Sequence, residues 1–230
     1  SELMENYGRC DRESKCGFFY HPSKDGFQNS KSSTVLNHST YEFFPSFHRN
    51  DLVEISMKND NNFLKYLRFL VGITKAKEVQ EKYKIGTLPE FNNGTIFWQI
   101  DEQKKVRAGK IIQYFETGKR TKNITWMHQF LKMKKEISDY NLSQCLFGLH
   151  LITEDKSSVI ALVESEKTAC VMSVKFPDFL WLSCGAKGEF KLRKLETIKH
   201  RKIIAYPDCE IQKNGTTTYQ EWKKKATEFN

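Results

Sequence analysis

The sequence has no run of about 18 apolar residues, so nothing in it reads as a membrane span. It opens Ser-Glu-Leu-Met, with neither a basic n-region nor an apolar h-region, so no signal peptide is expected. Ser1 in place of an initiator Met suggests a processed, tagged or truncated chain. Cysteine is scarce: 6 in 230 residues, with no Cys-x-x-Cys anywhere. That excludes a disulfide scaffold and points to a reducing cytoplasm. Five Asn-x-Ser/Thr sequons, at Asn37, Asn93, Asn123, Asn141 and Asn214, are what a chain rich in Asn, Ser and Thr produces by chance. Internal repeats and low-complexity blocks are absent. Acidic residues are outnumbered, 28 against 37 basic, which leaves a formal charge of +9. Such a surplus favours an anionic partner such as nucleic acid, or simply a solvated lysine-rich surface.

What is present is enough apolar material, 39% of residues, for a sizeable core in one large or two small domains. Residues 1–34 are polar and read as a small arm. In 62–72, Phe63, Leu64, Leu67, Leu70 and Val71 recur at helical spacing and Gly72 is a stop. A second helix is expected over 74–84, followed by turn chemistry in "IGTLPEFNNG". Residues 95–115 predict a β-hairpin, "TIFWQID" and "VRAGKIIQYF" around a polar turn. A basic stretch, "ETGKRTKN", comes next, then a helix within 125–137 and a short apolar segment at 143–152.

The last third has three apolar runs joined by helical patterns. Val159–Val163 ends at Glu164, "FLWLSC" ends at Gly185, and "KIIAY" ends at Pro207-Asp208. The helical stretches between them are "EKTACVMSVK" and "GEFKLRKLETIKH". Intervals of 21 residues (164 to 185) and 23 (185 to 208) suit β-α-β units with a parallel sheet. Parallel strands are covered on both faces and read as continuous apolar runs. Ligands bind at the carboxyl ends of such strands. Here those ends carry Glu164, Asp208 and Glu210, whose mutual repulsion a hard divalent cation such as Mg²⁺ or Mn²⁺ would relieve. The alternative is that Glu164 and Glu166 are acids favoured by a helix N-terminus.

The order of these pieces resembles the Toprim domain shared by DnaG-type primases, topoisomerases and some nucleases. "IALVESEKTA", "WLSCGAKG" and "IIAYPDCE" are similar to its first acidic strand, its Gly-containing strand and its Asp-x-Asp strand. Upstream, "VQEKYKIGTLPEF", the hairpin "IFWQID…KVRAGKIIQYF…GKR" and "CLFGLHL" resemble the amino-terminal half of a DnaG-type primase core, in the same order. "YGRCDRESKCG" looks like the second half of a primase zinc ribbon. The nearest likeness is to primase-like homologues of bacterial mobile elements.

The resemblance implies that Glu164 is the Toprim acid and that Asp208 and Glu210 are the acids of the Asp-x-Asp motif, acting as catalytic and Mg²⁺-binding residues. It implies that Arg107, Lys110, Lys119, Arg120 and Lys122 lie where primases hold template or nucleotide phosphates, and that Cys10 and Cys16 are Zn²⁺ ligands, the alternative being two free thiols. Lys167 is a further candidate for a phosphate or a salt-bridged surface lysine. The motifs depart from the family: Ser165 stands in place of Gly, and Pro207-Asp208-Cys209-Glu210 in place of Asp-Gly-Asp. The longer second acid moves a carboxylate by about one methylene, and Mg²⁺ demands near-ideal geometry. Metal binding without polymerase activity therefore stays open. Trp98, Tyr114, Phe115 and Trp126, interleaved with the basic residues, are either base-stacking rings or the buried hairpin face.

The expected fold is thus α/β: a partial zinc-ribbon-like arm (1–34), a helix-plus-hairpin subdomain (35–152) and a Toprim-like parallel sheet with flanking helices (153–230). The expected function is that of a cytoplasmic primase-like protein acting in DNA replication. It would bind single-stranded DNA and nucleotides, with a replicative helicase as a partner and no membrane. The alternatives are a catalytically reduced DNA-binding module and a Toprim-type nuclease.

Overall fold

The computed structural model describes residues 8–9, 19–20, 47–209 and 217–229. Cys10, Cys16 and Glu210 lie outside the described residues. The chain forms two compact units, Ser1–Glu42 and Phe43–Asn230. In the first, β1 (Gly8–Arg9) and β2 (Phe19–Tyr20) pair antiparallel, Gly8 opposite Tyr20.

The second unit opens with three helices. These are α1 (Asn50–Ser56), α2 (Asn62–Val71) and α3 (Ile73–Tyr83). Asn61 caps α2 by accepting from the Leu64 amide at 2.9 Å, and Gly72 ends it at φ 84°, a conformation glycine adopts without strain. Phe63, Leu64 and Leu67 of α2 and Ala76, Val79 and Tyr83 of α3 are buried, as their helical spacing predicts. Leu70 and Phe69 instead face outward.

A four-stranded antiparallel meander follows: β3 (Gly86–Leu88), β4 (Gly94–Ile100), β5 (Val106–Tyr114) and β6 (Arg120–Trp126). The hairpin is where the sequence predicts it. The basic stretch after it runs into β6, an edge strand whose polar residues need cover only one side. β4 is buried throughout because it is packed on both faces. Ile96, Trp98 and Ile100 join one core with Val53, Ile111, Met127 and Phe130. Phe97 joins the other, with Ile112 and Tyr114 of β5. Met127–Met133 forms α4.

The final segment is a three-stranded parallel sheet in the order β8-β7-β9, built from β7 (Val159–Val163), β8 (Phe179–Ser183) and β9 (Ile203–Tyr206). α5 (Glu166–Lys175) joins the first two strands. The expected helix between β8 and β9 is instead a chain of short turns around α6 (Leu192–Leu195). α7 (Thr218–Phe229) packs Trp222 on Phe190, ring centroids 4.5 Å apart. One core runs across the expected boundary at 152/153. It includes Phe63, Tyr83 and Phe97 together with Ile160, Leu162, Leu180 and Leu182. The Tyr83 hydroxyl donates to the Trp181 carbonyl at 2.9 Å and ties α3 to β8. None of the described helices is long and apolar enough to cross a membrane.

Candidate nucleic-acid and metal cleft

The parallel register aligns the carboxyl ends of the strands. Val163 of β7 lies opposite Ser183 of β8 and Tyr206 of β9, so Glu164, Cys184 and Pro207 leave the sheet together. With β7 central, the chain switches sides between β8 and β9, and this is where an open parallel sheet presents a ligand crevice. The Asp208 amide donates to Glu164 Oε1 at 3.0 Å across that gap. The Gly185 amide donates to the Glu164 carbonyl at 2.9 Å, and Ser183 Oγ donates to the same oxygen at 2.9 Å. Glu164 is therefore positioned through its backbone as well as its carboxylate.

The two acids read together from the sequence have separate roles. Ser165 is the N-cap of α5, accepting from the Thr168 amide at 3.1 Å. Glu166, in the first turn, is the acid that a helix N-terminus favours. Glu164 precedes the cap and belongs to the sheet edge. Glu166 is only 1% exposed and faces Lys110 of β5, whose Nζ lies 3.1 and 3.2 Å from its two carboxylate oxygens. The same ammonium donates to the Gly185 carbonyl at 2.5 Å. Lys110 thus brackets the parallel sheet's edge from the antiparallel sheet. Burial and the negative charge of Glu166 raise the Tyr114 phenol far above its ordinary range.

Between these walls lies a cleft of about 710 Å³. Glu164, Glu166, Gly185 and Asp208 line one side, and Lys110, Lys119 and Arg120 the other. Lys119 and Arg120 are exposed and make no ion pair among the described residues. Lys167 also lines the cleft. It donates to the Gly118 carbonyl at 2.7 Å and sits 4.5 Å over the Tyr66 ring, and burial lowers its pKa.

Two basic candidates do not line the cleft. Arg107 Nε lies 2.5 Å from Asp101 Oδ2 in the hairpin turn. A separation of three along a strand puts Arg107 and Lys110 on opposite faces. A bulge between the pairs Gln99–Ala108 and Ile100–Val106 leaves Arg107 without a ladder partner. Lys122 is exposed in the irregular stretch of β6 between the pairs Ile112–Ile124 and Tyr114–Arg120. Of the interleaved aromatics, Trp98 and Tyr114 are buried core rings, while Phe115 is 55% exposed. Among the described residues no three His, Cys, Asp or Glu side chains gather as a metal site. Sequence reasoning missed the Lys110–Glu166 pair. Its one signal is the position of Lys110 between Ala108 and Ile112, on the buried alternation of β5.

Three comparisons bear on this arrangement. Residues 1–32 match the zinc β-ribbon finger family. A crystal structure of the Aquifex aeolicus primase, comprising its zinc-binding and RNA polymerase domains, is similar at 11% identity and a TM-score of 0.43. That match covers 77% of this chain and 51% of the primase chain, so the protein spans about half the length of that structure. No curated protein matches the chain. Residues 61–209, from the cap of α2 through Asp208 and with every residue of the cleft inside them, match the domain of unknown function DUF6371, and the chain belongs to that family.

Proposed function

We propose that the protein is a primase-like nucleic-acid-binding protein whose cleft takes single-stranded DNA and nucleotides. The observation that carries this reading is the meeting, in one cleft, of Lys119 and Arg120 with Glu164, Lys167 and Asp208, which come from stretches more than 40 residues apart in sequence. Phosphates need cations on one wall, and a divalent ion needs oxygen donors on the other.

The donor set fits such an ion. A carboxylate offers about four lone-pair directions and can bind an ion while it also accepts hydrogen bonds, as Glu164 does from the Asp208 amide. Mg²⁺ is commonly held by one or two carboxylates, with waters and substrate phosphates completing its shell. Glu164 and Asp208 are the proposed ligands, with Glu210 as a third. Bound there, Mg²⁺ or Mn²⁺ would lower the pKa of an attacking 3′-hydroxyl and neutralise a triphosphate. Lys119 and Arg120 hold phosphates as exposed cations. Lys110, already committed to Glu166, fixes the wall without adding net charge. In the amino-terminal unit, the zinc β-ribbon match supports a structural Zn²⁺ with Cys10 and Cys16 among its ligands.

The test is Mn²⁺ binding followed by electron paramagnetic resonance on the full chain, with Glu164→Ala and Asp208→Ala beside wild type. Single-stranded DNA binding is measured on the same samples. Saturable Mn²⁺ binding that both variants lose supports the reading and makes primer-synthesis and cleavage assays the next step. DNA binding with no Mn²⁺ uptake leaves the non-catalytic binding module. Failure to bind either ligand overturns the proposal.

A further inference from the structure

A second, smaller pocket of about 120 Å³ opens beside the cleft and shares Lys110, Gly185 and Ala186 with it. Its volume is that of about four waters at about 30 Å³ each, enough for one planar ring system but not a whole nucleotide. We infer that this pocket is a nucleobase slot, which receives the base of a nucleotide whose phosphates lie in the cleft. The inference rests on the cleft reading above and adds to it the part of the ligand that carries identity.

Both lysines that line the slot are already ion-paired. Lys110 is neutralised by Glu166. Lys194, whose side chain is 1% exposed, lies 2.7 Å from Glu189 Oε2, with Gln144 Oε1 and the Cys184 carbonyl at 3.4 and 3.5 Å. Both ammoniums that line the slot are engaged, Lys194 sharing Glu189 with Lys191, whose Nζ lies 2.7 Å from Glu189 Oε1, so each is held by its acid before any phosphate arrives. Trp126, Cys184 and Ala186 supply apolar wall. A neutral, flat ligand with polar edges suits such a surface, and an indole is a stacking partner for any base.

The remaining polar group is Gln99, the penultimate residue of β4 and 1% exposed. Its Oε1 is buried and has no hydrogen-bond partner among the described residues. Such an atom is rare and asks for an explanation. A glutamine amide pairs in bidentate fashion with the N6/N7 edge of adenine, donating to one atom and accepting from the other. Gly185 keeps the approach open. At φ +94° it has no side chain, and a Cβ there would lie 3.3 Å from Glu166 Oε1 and 3.9 Å from Gln99 Nε2. A base entering past Gly185 would meet the Gln99 amide, which lines the slot.

The experiment compares ATP with inorganic tripolyphosphate by calorimetry, in Mn²⁺, on the full chain. Wild type is expected to bind ATP about tenfold more tightly than tripolyphosphate, the discrimination of one bidentate pair. Gln99→Leu removes the amide, and Trp126→Leu removes the stacking ring from a wall that the cleft does not share. Each should bring ATP down to the level of tripolyphosphate and leave tripolyphosphate unchanged. Gln99→Leu is expected to fold, because it deletes an unpartnered buried polar atom. Equal affinity for both ligands in wild type, lost together in Lys119→Ala/Arg120→Ala, would overturn the base slot and leave the cleft reading standing. Binding of neither ligand would remove the cleft reading and the slot with it.

Discussion

The two faces of the four-stranded sheet solve the problem of buried polar groups in opposite ways. Towards β7, Lys110 stays beside a buried carboxylate, and each charge satisfies the other. On the opposite face, Trp98 is flanked by a ring stack of His48, Tyr140 and His128, with centroids 4.5 Å apart for the first pair and 5.3 Å for the second. There, among the described residues, no acid forms an ion pair with the histidines. Burial, and then the neighbouring His128, lowers His48 to about 4. Burial, and then Lys132, lowers His128 as well. One face buries a paired charge beside the cleft. The other holds its buried imidazoles uncharged, and its ion pair, Arg107 with Asp101, sits at the hairpin turn.

The strongest way to break this contrast is to remove one half of the ion pair. Lys110→Met leaves Glu166 buried without its cation, and removing one partner of a buried pair costs about 3–5 kcal/mol. Replacing both, as Lys110→Met/Glu166→Leu, should recover most of that loss, since an apolar pair of similar volume is often neutral. Urea unfolding of the two singles and the double gives the coupling directly. A cost below about 1 kcal/mol for Lys110→Met would mean that the pair is not buried as described.

The ring stack provides the counterpart by pH. An unfolded histidine takes up a proton near pH 6.5, whereas folded His48 resists it down to about 4. The unfolded state therefore binds more protons inside that window, and stability falls as pH drops through it. The loss should reach about 3 kcal/mol by pH 4 for this one group. His48→Phe keeps a ring against Tyr140 and should flatten the profile between pH 6.5 and 4. An unchanged slope in this variant would assign the acid sensitivity elsewhere.

Binding is expected to follow exposure rather than the number of basic residues. Lys119 and Arg120 project into the cleft without an ion-pair partner among the described residues. If each meets one phosphate, Lys119→Ala/Arg120→Ala should flatten the logarithmic salt dependence of single-stranded DNA affinity by about 1.4, at about 0.7 per contact. Fluorescence anisotropy across a salt series reads that slope. An unaltered slope would move the nucleic-acid surface away from this cleft.

The sheet edge was legible in the sequence because parallel strands announce themselves as apolar runs, and their register follows from where each run stops. Glu164 and Asp208 were found that way. β6 was not, because "RTKNITW" lacks the composition of a buried strand and takes its conformation from pairing with β5. The stretch after β8 was misread as one helix because tertiary contacts override its periodicity. Phe190 is drawn onto Trp222 and Lys194 onto Glu189. The Lys110–Glu166 pair joins residues 56 apart, and no local pattern specifies such a contact.

Arg107 shows the same limit in a single residue and gives the smallest expected effect. Its place in a primase-like hairpin suggested a phosphate contact, yet the pleat turns it from the cleft and Asp101 occupies its charge. Asp101 Oδ1 also accepts from the Gln103 and Lys105 amides at 2.9 and 2.8 Å, so the carboxylate organises the hairpin turn and Arg107 completes its shell. Arg107→Gln keeps a donor for Asp101 and removes the positive charge. The expected cost in urea unfolding is about 1 kcal/mol, that of weakening one charge-assisted hydrogen bond. DNA affinity and its salt slope should match wild type. A drop in that slope of about 0.7, the signature of one lost phosphate contact, would show that Arg107 leaves Asp101 for the ligand. The basic surface would then extend past the cleft and around the bulge of β5.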